Sequence, residues 1–353
     1  MGKVRSARVF PTQSSVLDSQ ALGRMVLSSY GVSGPITCRF FRKGMTDAYE
    51  VKSPTSTYFL KIYMHGRRSW ADVEDEVHFL NYLHRHRVPV VGLVRRSDGA
   101  FITRLNAAEG TRHAVLFRSA PGRDPDCGQP GFCVSLGRLI GRLHKVADGI
   151  QRTYQRAPAD LDFLIDRQIE TVRPFMAHRR DDFELVSAIG ASVKRRIAEL
   201  LSRAKPEYGI CHGDLHGTDV RVDGKGGLTL FDFDSFACGW RAVEIGVFYA
   251  THEWMNVTPQ AEAERMRQLG AFLRGYQRER KLSRGELEAI KLGPAVRHIY
   301  LMGIVLKHSS AYNGFHWAND HFFDWHMKWF RHWAKHGPLV KTSGNGGRMW
   351  RSR

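Results

Sequence analysis

The sequence lacks the features that mark membrane or secreted proteins. No apolar run approaches the roughly 18 residues that a membrane span needs, and the opening MGKVRSARVF has no hydrophobic stretch of the kind found in secretion signals. Cysteine is scarce, and no two cysteines have the paired CxxC spacing. The five positions are Cys38, Cys127, Cys133, Cys211 and Cys238. We therefore expect a cytoplasmic protein with reduced, mainly structural cysteines and no transmembrane segment.

Acidic residues are few relative to basic ones. The chain has 35 Asp and Glu residues against 53 Lys and Arg residues, which gives a formal net charge of +18. Such a surface attracts anions, such as nucleotides, nucleic acid, acidic lipid or a phosphorylated substrate, although it can also be simply a solvated basic surface. Because zinc-finger spacing, an aromatic RNP string and a basic segment with heptads are all lacking, nucleic acid is not the expected partner.

What the sequence does contain is the composition of a globular enzyme. Hydrophobic residues make up 42% of the chain and charged residues 25%. Its 353 residues suggest about two domains.

The start MGKVRS matches the pattern for lipid attachment at Gly2, but so short a pattern also arises by chance.

The first third of the chain has the pattern of a small mixed unit of strands and one helix. β-rich runs are separated by the turn-like segments GMTD and SPTS. Apolar residues recur at three- and four-residue steps from Trp70 to Leu83, which predicts an amphipathic helix. The predicted strands cover 36–41, 48–52, 57–63, 88–95, 99–105 and 113–120, and the predicted helix covers 69–85.

Helical patterns dominate the rest of the chain. They cover 135–148, 160–178, 182–204, 259–279, 284–292 and 294–309. We therefore divide the chain into an N-terminal extension (1–33) that is expected to hold a helix, a strand-rich unit (34–122), a mainly helical unit (123–338) and a basic flexible tail (339–353).

A dense motif of acids and histidines interrupts the helical part. HGDLHGTD spans 212–219, and the runs VRVD and LTLFDFD about a GKGG turn predict a β-hairpin after that loop. Asp214 and Asp219 would lie in the loop, and Asp232 at the end of the second strand. Clustered carboxylates need cations, donors or water nearby, and their oxygens suit Mg²⁺, which completes its coordination with substrate phosphates. The motif therefore predicts a phosphate-handling site.

Two other interpretations of these residues stay open. Aspartates often cap turns by bonding backbone amides, which suits Asp223 in VDGKGG but explains two separate acidic segments poorly. His212 and His216 could instead flank Asp214 as ligands in a metallohydrolase. No further histidine motif has supporting spacing.

The order of several motifs resembles a known family. HGDLHGTD followed by LTLFDFD resembles the catalytic segment of the aminoglycoside phosphotransferase and choline kinase-like superfamily, and it is similar to the protein-kinase pair HRDxxxxN and DFG. The branch with stress response kinase A and type II homoserine kinases looks most similar. Segments from about residue 34 to 335 resemble the family in the correct order: RKGMTDAYEV, FLKIY, DEVHFLNYL, VLFRSAPGR, LGRLIGRLH and AVRHIYLMGI. The resemblance implies an α+β, bilobal protein-kinase-like fold with a mixed-sheet N-lobe and a mainly helical C-lobe.

The resemblance also implies roles for five residues. Asp214 would orient the acceptor hydroxyl and take its proton, and Asp232 would bind Mg²⁺ that bridges the phosphates of ATP. Asp219 would be the second metal ligand. Lys61 would neutralise the α- and β-phosphates and be held by Glu76, although Glu74 is close in sequence. The alternative for Lys61 is an exposed strand lysine, because Leu60 and Ile62 point to the other face.

Further residues are implied as supports of this site or as contacts to the nucleotide. His212, His216 and Asp234 would support the catalytic loop, and Glu244 would either help to hold that loop or be an ordinary surface acid of a helix. The nucleotide would be covered by the hairpin that contains Gly44. Its adenine would meet the backbone of a hinge formed by Phe117, Arg118, Ser119 and Ala120.

The acceptor pocket would be built by C-terminal helices. Candidates by position alone are Arg297, His298, Tyr300, Trp317, Asn319 and Asp320, although the aromatic repeats of FHWANDHFFDWHMKWFRHW also suit a helix that packs into a core. The shortage of acids argues against polycationic antibiotics as substrates. The expected acceptor is the hydroxyl of a small neutral or anionic metabolite, and the alternative is a protein Ser or Thr side chain.

Two departures from the family pattern favour rival functions. Asp219 stands where the family usually has asparagine, and Asp47 stands where relatives often have a polar amide. An inactive pseudokinase is therefore one alternative, in which the kinase scaffold and the tail KTSGNGGRMWRSR act as a basic binding protein.

Overall fold

A computed structural model describes residues 10–251, 255–312 and 317–339. The lipid-attachment pattern at Gly2 and the predicted tail beyond residue 339 lie outside the described residues. Among the residues that are described, no single helix has both the length and the apolar composition to cross a membrane; one bent pair, Arg284–Ile290 with Gly293–His308, meets those two criteria together.

The N-terminal part is a five-stranded antiparallel sheet with two helices. The strands stand in the order β1, β2, β3, β5, β4. Their bounds are β1 Thr37–Arg42, β2 Thr46–Lys52, β3 Thr57–Tyr63, β4 Ile102–Ala107 and β5 Gly110–Arg118, and the helices are α1 Ser19–Tyr30 and α2 Trp70–Arg85. The helix expected in the N-terminal extension is thus present as α1, with Asp18 as its N-cap.

The two faces of this sheet have different partners because strand side chains alternate. Leu60 and Ile62 of β3 belong to an apolar cluster with α1 on one face. Lys61 and Tyr63 point to the opposite face, where the main core continues into the helical part of the chain. The alternation therefore delivers Lys61 to the side of the sheet that meets the second lobe.

The segment 88–95 is not the strand that its sequence predicts. Pro89 accepts from the amide of Leu230 at 3.0 Å, whereas Gly92 accepts from the amide of Arg118 at 2.8 Å. The segment therefore bridges β5 and a hairpin of the second lobe through isolated pairings. It forms no continuous ladder with either, since Pro89 also lacks an N–H donor.

The second part of the chain is mainly helical. Its helices are α3 Pro130–Ala147, α4 Arg167–Val172, α5 Arg180–Leu200, α6 Arg241–Thr251, α7 Pro259–Tyr276, α8 Arg284–Ile290, α9 Gly293–Tyr312 and α10 Asp320–His336. The single helix predicted over 160–178 is divided into a π-helical turn at Asp162–Asp166, α4 and a 3-10 turn at Arg173–Met176. Pro174 explains the second break because it cannot donate a helical hydrogen bond.

Four short strands lie within the helical part and carry the central motif. They are β6 Tyr208–Cys211, β7 Val220–Val222, β8 Leu228–Leu230 and β9 Ala237–Trp240. β7 and β8 form the predicted hairpin, and β6 pairs with β9. HGDLHGTD thus connects β6 to β7, and FDFD follows β8, which brings the two acidic segments to one edge of the helical lobe.

Candidate active site

The loop from His212 to Asp219 depends on a glycine at its second position. Gly213 has φ +86°, and a Cβ at this position would lie 2.0 Å from the carbonyl oxygen of Ser235. A side chain would therefore be strained by the backbone conformation and excluded by the segment after β8. Gly213 holds the two acidic segments in contact and directs the next residue, Asp214, toward the cleft between the lobes.

Beneath the loop, a buried hydrogen-bond network fixes this backbone. Glu244 of α6 accepts from the amide of Gly213 at 2.6 Å and from Nε2 of His144 at 2.6 Å. Nδ1 of His144 lies 2.8 Å from the hydroxyl of Tyr276. Burial lowers the pKa of His144 to about 4, although the neighbouring Glu244 acts in the other direction. His144 is therefore neutral at pH 7. Of the two interpretations of Glu244, a support of the loop or a surface acid of a helix, the contacts favour the support.

His212 links the loop to the strand that precedes Asp232. Its Nε2 lies 2.9 Å from the carbonyl oxygen of Phe231, and its ring packs against Phe233 at 4.4 Å between centroids. His212 is fully buried. This position does not suit the metallohydrolase interpretation, in which His212 and His216 would bind one ion together.

His216 instead joins Asp214 and Asp219. Its Nε2 lies 3.2 Å from Asp219 and 3.8 Å from Asp214, and the ligand atoms of the three residues lie within 4.8 Å of one another. Burial, followed by the charges of Asp232 and Asp214, raises the pKa of Asp219 well above its usual range. Carboxylates crowded in this way fit a divalent cation, and they are the oxygen donors that Mg²⁺ prefers.

Asp232 lies opposite Lys61. Nζ of Lys61 is 3.1 Å from Oδ1 of Asp232 and 3.1 Å from Oε1 of Glu76. Burial alone would raise the pKa of Asp232, but the ammonium of Lys61 holds it below its ordinary value. Asp232 also has φ 60°, a left-handed conformation that is uncommon for a residue with a side chain and is enriched at active sites.

The structure resolves the choice between two neighbouring acids on α2. Glu76 is buried and contacts Lys61, whereas Glu74 lines a cavity of about 580 Å³ on another face of the helix. Lys61 is only 8% exposed, so the interpretation as an exposed strand lysine is wrong.

Three arginines that the sequence reasoning missed surround Asp234. Arg67 lies 2.5 Å and Arg68 3.4 Å from its carboxylate, and Arg156 donates to its carbonyl oxygen at 2.5 Å. Burial would raise the pKa of Asp234, but Lys61 and these arginines hold it far below its ordinary value. The sequence does contain an indication that Arg67 and Arg68 have a specific partner. They immediately precede the N-terminus of α2, where cations are disfavoured.

Arg156 ties α2 to the segment that contains Asp232. Its Nη2 donates to Glu76 at 2.9 Å and its Nε to the carbonyl oxygen of Asp72 at 3.0 Å. Its guanidinium packs over the ring of Phe236 at 4.2 Å. Arg156 lies in an irregular segment before the π-helical turn, so no periodicity in the sequence indicates this role.

Of the acceptor candidates, Arg297 lies at the site. Its Nη2 is 2.7 Å from Oδ1 of Asp214. His298 is buried and stacks on Trp329 at 3.9 Å, and Trp317 packs against Phe322 at 5.0 Å, which gives both a packing role. Asn319 is the N-cap of α10 and accepts a hydrogen bond from the amide of Phe322. Asp320, the first residue of α10, accepts from the side chains of His178 and Arg179.

The predicted nucleotide contacts lie at the edge of the sheet. Gly44 is in the turn between β1 and β2, and it is not among the glycines with positive φ. Phe117 is the second-to-last residue of β5, and its ring centroid lies 5.9 Å from Nζ of Lys61. The amide of Ser119 donates to Thr57 at 2.9 Å, so that group is already used. Adenine contacts through the Ser119 carbonyl and Ala120 stay predictions.

Asp47 has a structural partner rather than a place in the covering loop. It lies within β2, is 1% exposed and binds Nη2 of the buried Arg112 at 2.8 Å. Arg112 also donates to the carbonyl oxygens of Tyr63 and Ser15. The Asp47 departure from the family pattern is therefore explained by this buried ion pair and gives the pseudokinase interpretation no support.

Comparison with known proteins gives the same picture. The profile of the phosphotransferase enzyme family matches residues 37–282. An uncharacterised protein of Deinococcus radiodurans is 31% identical over 335 residues, covering 94% of this chain and 95% of that protein. An uncharacterised protein of Synechocystis is 32% identical over 271 residues, covering 76% of this chain and 72% of that protein.

Solved structures share the architecture at lower identity. A microcompartment-associated aminopropanol kinase has a TM-score of 0.73 at 18% identity, covering 90% of this chain and 98% of its own. For an amicoumacin kinase in complex with AMP-PNP, Ca²⁺ and Ami, the TM-score is 0.69 at 22% identity, with coverages of 82% and 86%. These likenesses establish a kinase-like bilobal fold. From the profile and the relatives together, the chain belongs to the phosphotransferase enzyme family, within the aminoglycoside phosphotransferase and choline kinase-like superfamily.

Proposed function

We propose that the protein is a cytoplasmic kinase that transfers the γ-phosphate of ATP to a hydroxyl group of a small metabolite, with Mg²⁺. The observation that carries the proposal is the position of Lys61, which contacts Glu76 of one lobe and Asp232 of the other at 3.1 Å each. The named structural neighbours support it, since they include an aminopropanol kinase and a kinase in complex with AMP-PNP.

In this proposal Asp214 acts on the acceptor. Its carboxylate orients the acceptor hydroxyl and receives the hydroxyl proton as the oxygen bonds to the γ-phosphorus. The bond between that phosphorus and the bridging oxygen of ADP breaks, and its electron pair leaves with ADP. The network of Gly213, Glu244 and His144 positions Asp214, because it fixes the backbone one residue before the carboxylate.

The nucleotide side is served by Lys61 and two carboxylates. Lys61 neutralises charge on the α- and β-phosphates, and the hinge at Ser119 and Ala120 meets the adenine. Asp232 and Asp219 would hold Mg²⁺, which when bound neutralises charge on the phosphate oxygens. We assign the nucleotide-covering lobe to 34–122 and the acceptor-binding lobe to 123–338.

A library of small hydroxyl metabolites, incubated with the protein, labelled ATP and Mg²⁺, tests the proposal. We expect ADP release that requires both Mg²⁺ and one class of acceptor, with label in a small molecule. Label confined to protein bands would favour a protein Ser/Thr kinase. Binding of ATP without turnover for any acceptor would favour a pseudokinase.

A matched pair of variants identifies the site. Asp232→Asn should abolish Mg²⁺-dependent ADP release, because it removes the charge that faces Lys61. Asp223→Asn alters an exposed turn residue whose carboxylate accepts from Lys225 and Gly227, so it should leave ADP release unchanged.

A further inference from the structure

Three arginines contact two carboxylates of the site, Asp214 and Asp234. Arg297 lies 2.7 Å from Asp214 and is 8% exposed. Arg67 and Arg68, from the segment before α2, both contact the carboxylate of Asp234. These contacts leave one positive charge in excess, because Asp219 and Asp232, the other carboxylates of the cleft, are assigned to Mg²⁺ in the proposed function.

A tyrosine on α9 is influenced by the same charges. Tyr300 lies one helical turn after Arg297 on α9. Burial, followed by the charge of Asp214, raises the pKa of Tyr300, and the charges of Arg297, Arg67 and Arg68 oppose that rise. The charges of Asp214, Arg297, Arg67 and Arg68 therefore all act on this one phenol.

The same basic surface continues along α9. Burial, followed by the charges of Arg67, Lys307 and Arg68, lowers the pKa of His308 to about 4, against the influence of Asp234. His308 is therefore uncharged at neutral pH. Lys307 adds a further cation to this side of the cleft.

Arg297 also has a hydrogen-bond donor that the described residues leave unused. Its Nε is buried and has no hydrogen-bond partner in the part of the chain that the structure describes. An unmet buried N–H is costly, so an oxygen that reaches it is bound with the gain of removing that cost. A charged oxygen gives the strongest bond, because guanidinium and carboxylate or phosphate groups make charge-assisted pairs.

We propose that the surface formed by Arg297, Arg67 and Arg68 beside Asp214 selects a hydroxyl acceptor that carries an oxyanion, and that Arg297 binds the oxyanion. This inference rests on the proposed phosphotransfer and narrows its substrate class to hydroxy carboxylates or hydroxy phosphates. An amine-bearing acceptor, such as the one in the name of the aminopropanol kinase, would be repelled by this surface. The oxyanion takes no part in the bond changes, and the proton of the hydroxyl still passes to Asp214.

Four compounds that differ at one end only provide the test. They are glycerate, glycerol phosphate, glycerol and 3-aminopropane-1,2-diol. Their affinities for the wild-type protein with AMP-PNP and Mg²⁺ are measured by calorimetry, and their kcat/KM values with labelled ATP. We expect glycerate or glycerol phosphate to exceed both other compounds by at least about tenfold, the effect of one charge-assisted contact. Whichever of the two anions is preferred identifies carboxylate or phosphate as the recognised group.

Variants of Arg297 separate anion recognition from a general defect. Arg297→Gln should raise the KM of the preferred anion at least about tenfold while changing the affinity for glycerol little, since it removes a contact made in the ground state. Arg297→Lys should recover part of the preference. Arg173→Gln removes an exposed arginine that pairs with Glu170 on α4 and should behave as wild type.

Two results would overturn the inference. One is a preference for the amine or equal behaviour of all four compounds, including a failure of all four to bind. The other is an anion preference that survives Arg297→Gln. The proposed phosphotransfer fails by a different result, namely no binding of AMP-PNP with Mg²⁺ to the wild-type protein.

Discussion

The catalytic loop has one face in the protein interior and one in the cleft. The two faces differ in whether their polar groups have partners within the protein. In the interior, Glu244 accepts two hydrogen bonds and a neutral His144 uses both ring nitrogens. In the cleft, Asp214, Asp219 and Asp232 are close enough that burial and mutual repulsion raise the pKa of Asp219. The network of Glu244 and His144 on the interior face is complete without any ligand, whereas the carboxylates of the cleft face are not neutralised.

The two faces of the eight-residue loop, His212 to Asp219, therefore have different tasks. The interior face contributes to stability, and the cleft face contributes to function. A satisfied buried network stabilises a single backbone conformation. Crowded carboxylates work against stability and are retained where a cation and an anionic substrate relieve them. Changes on the interior face should therefore alter folding first, and changes on the cleft face should alter turnover first.

The largest effect is expected on the cleft face. Asp214→Ala should lower turnover by at least about a hundredfold, the low end for a positioned general base. The urea midpoint should change less than it does for Glu244→Gln, because the Asp214 side chain is 33% exposed whereas that of Glu244 is 3% exposed. Steady-state ADP release and urea unfolding measure the two quantities. Asp181→Ala, an exposed acid in the first turn of α5, is the matched control. Near-normal phosphorylation by Asp214→Ala would refute the role.

On the interior face, Glu244→Gln should lower the free energy of unfolding by about 3 kcal/mol, because a glutamine offers one acceptor oxygen to two donors and leaves a buried N–H unpaired. Chemical unfolding in urea measures this. Glu279→Gln removes a carboxylate that pairs with the exposed Arg138, and it should cost less than about 1 kcal/mol. If the two variants have equal midpoints, the interior network does not stabilise the loop.

A pH titration sharpens the comparison further. The pKa of His144 is about 4 in the folded protein and ordinarily about 6.5. The unfolded chain therefore binds more protons as pH falls through 6.5 toward 4, so stability is lost in that window. From pH 7 to pH 5, wild type should lose about 2 kcal/mol more than His144→Gln. Parallel pH profiles of urea stability for the two proteins would contradict a neutral His144.

The smallest effect is expected at Asp219. Asp219→Asn removes a negative charge that repels the nucleotide phosphates when Mg²⁺ is low, so the activity of the variant should fall less than that of wild type as Mg²⁺ is lowered, by about threefold for one partly screened charge. Wild type should show the steeper Mg²⁺ dependence, measured as ADP release against Mg²⁺ concentration. Asp223→Asn should follow the wild-type curve, and coincident curves for all three proteins would count against the repulsion.

Local pattern was enough to predict the elements that carry the site. The alternation around Lys61 placed it on the face opposite Leu60 and Ile62, although it could not predict that this face is buried. Turn glycines between short apolar runs predicted the β7–β8 hairpin. The cluster of Asp214, Asp219 and Asp232 followed from spacing and the family resemblance. Each of these depends on residues close together in sequence.

Contacts between distant segments could not be predicted in this way. Arg156 reaches Glu76 across 80 residues, and Arg67 reaches Asp234 across 167. Segment 88–95 has a strand-like sequence, but its partners are β5 and the neighbourhood of Leu230, which only the tertiary fold brings together. His298 has the polarity of a site residue and is buried beneath Trp329. A single sequence specifies which side chains are available, and the topology decides which of them meet.

The placement of α1 determines where the protein can be shortened. Leu22, Val26 and Tyr30 shield Tyr49, Leu60 and Ile62, all of which are at most 6% exposed. A truncated chain that starts at residue 34 would retain every residue of the proposed site. It would also expose the hydrophobic face of the sheet to solvent and favour aggregation. For expression and crystallisation, the helix that precedes the kinase motifs is therefore part of the minimal unit.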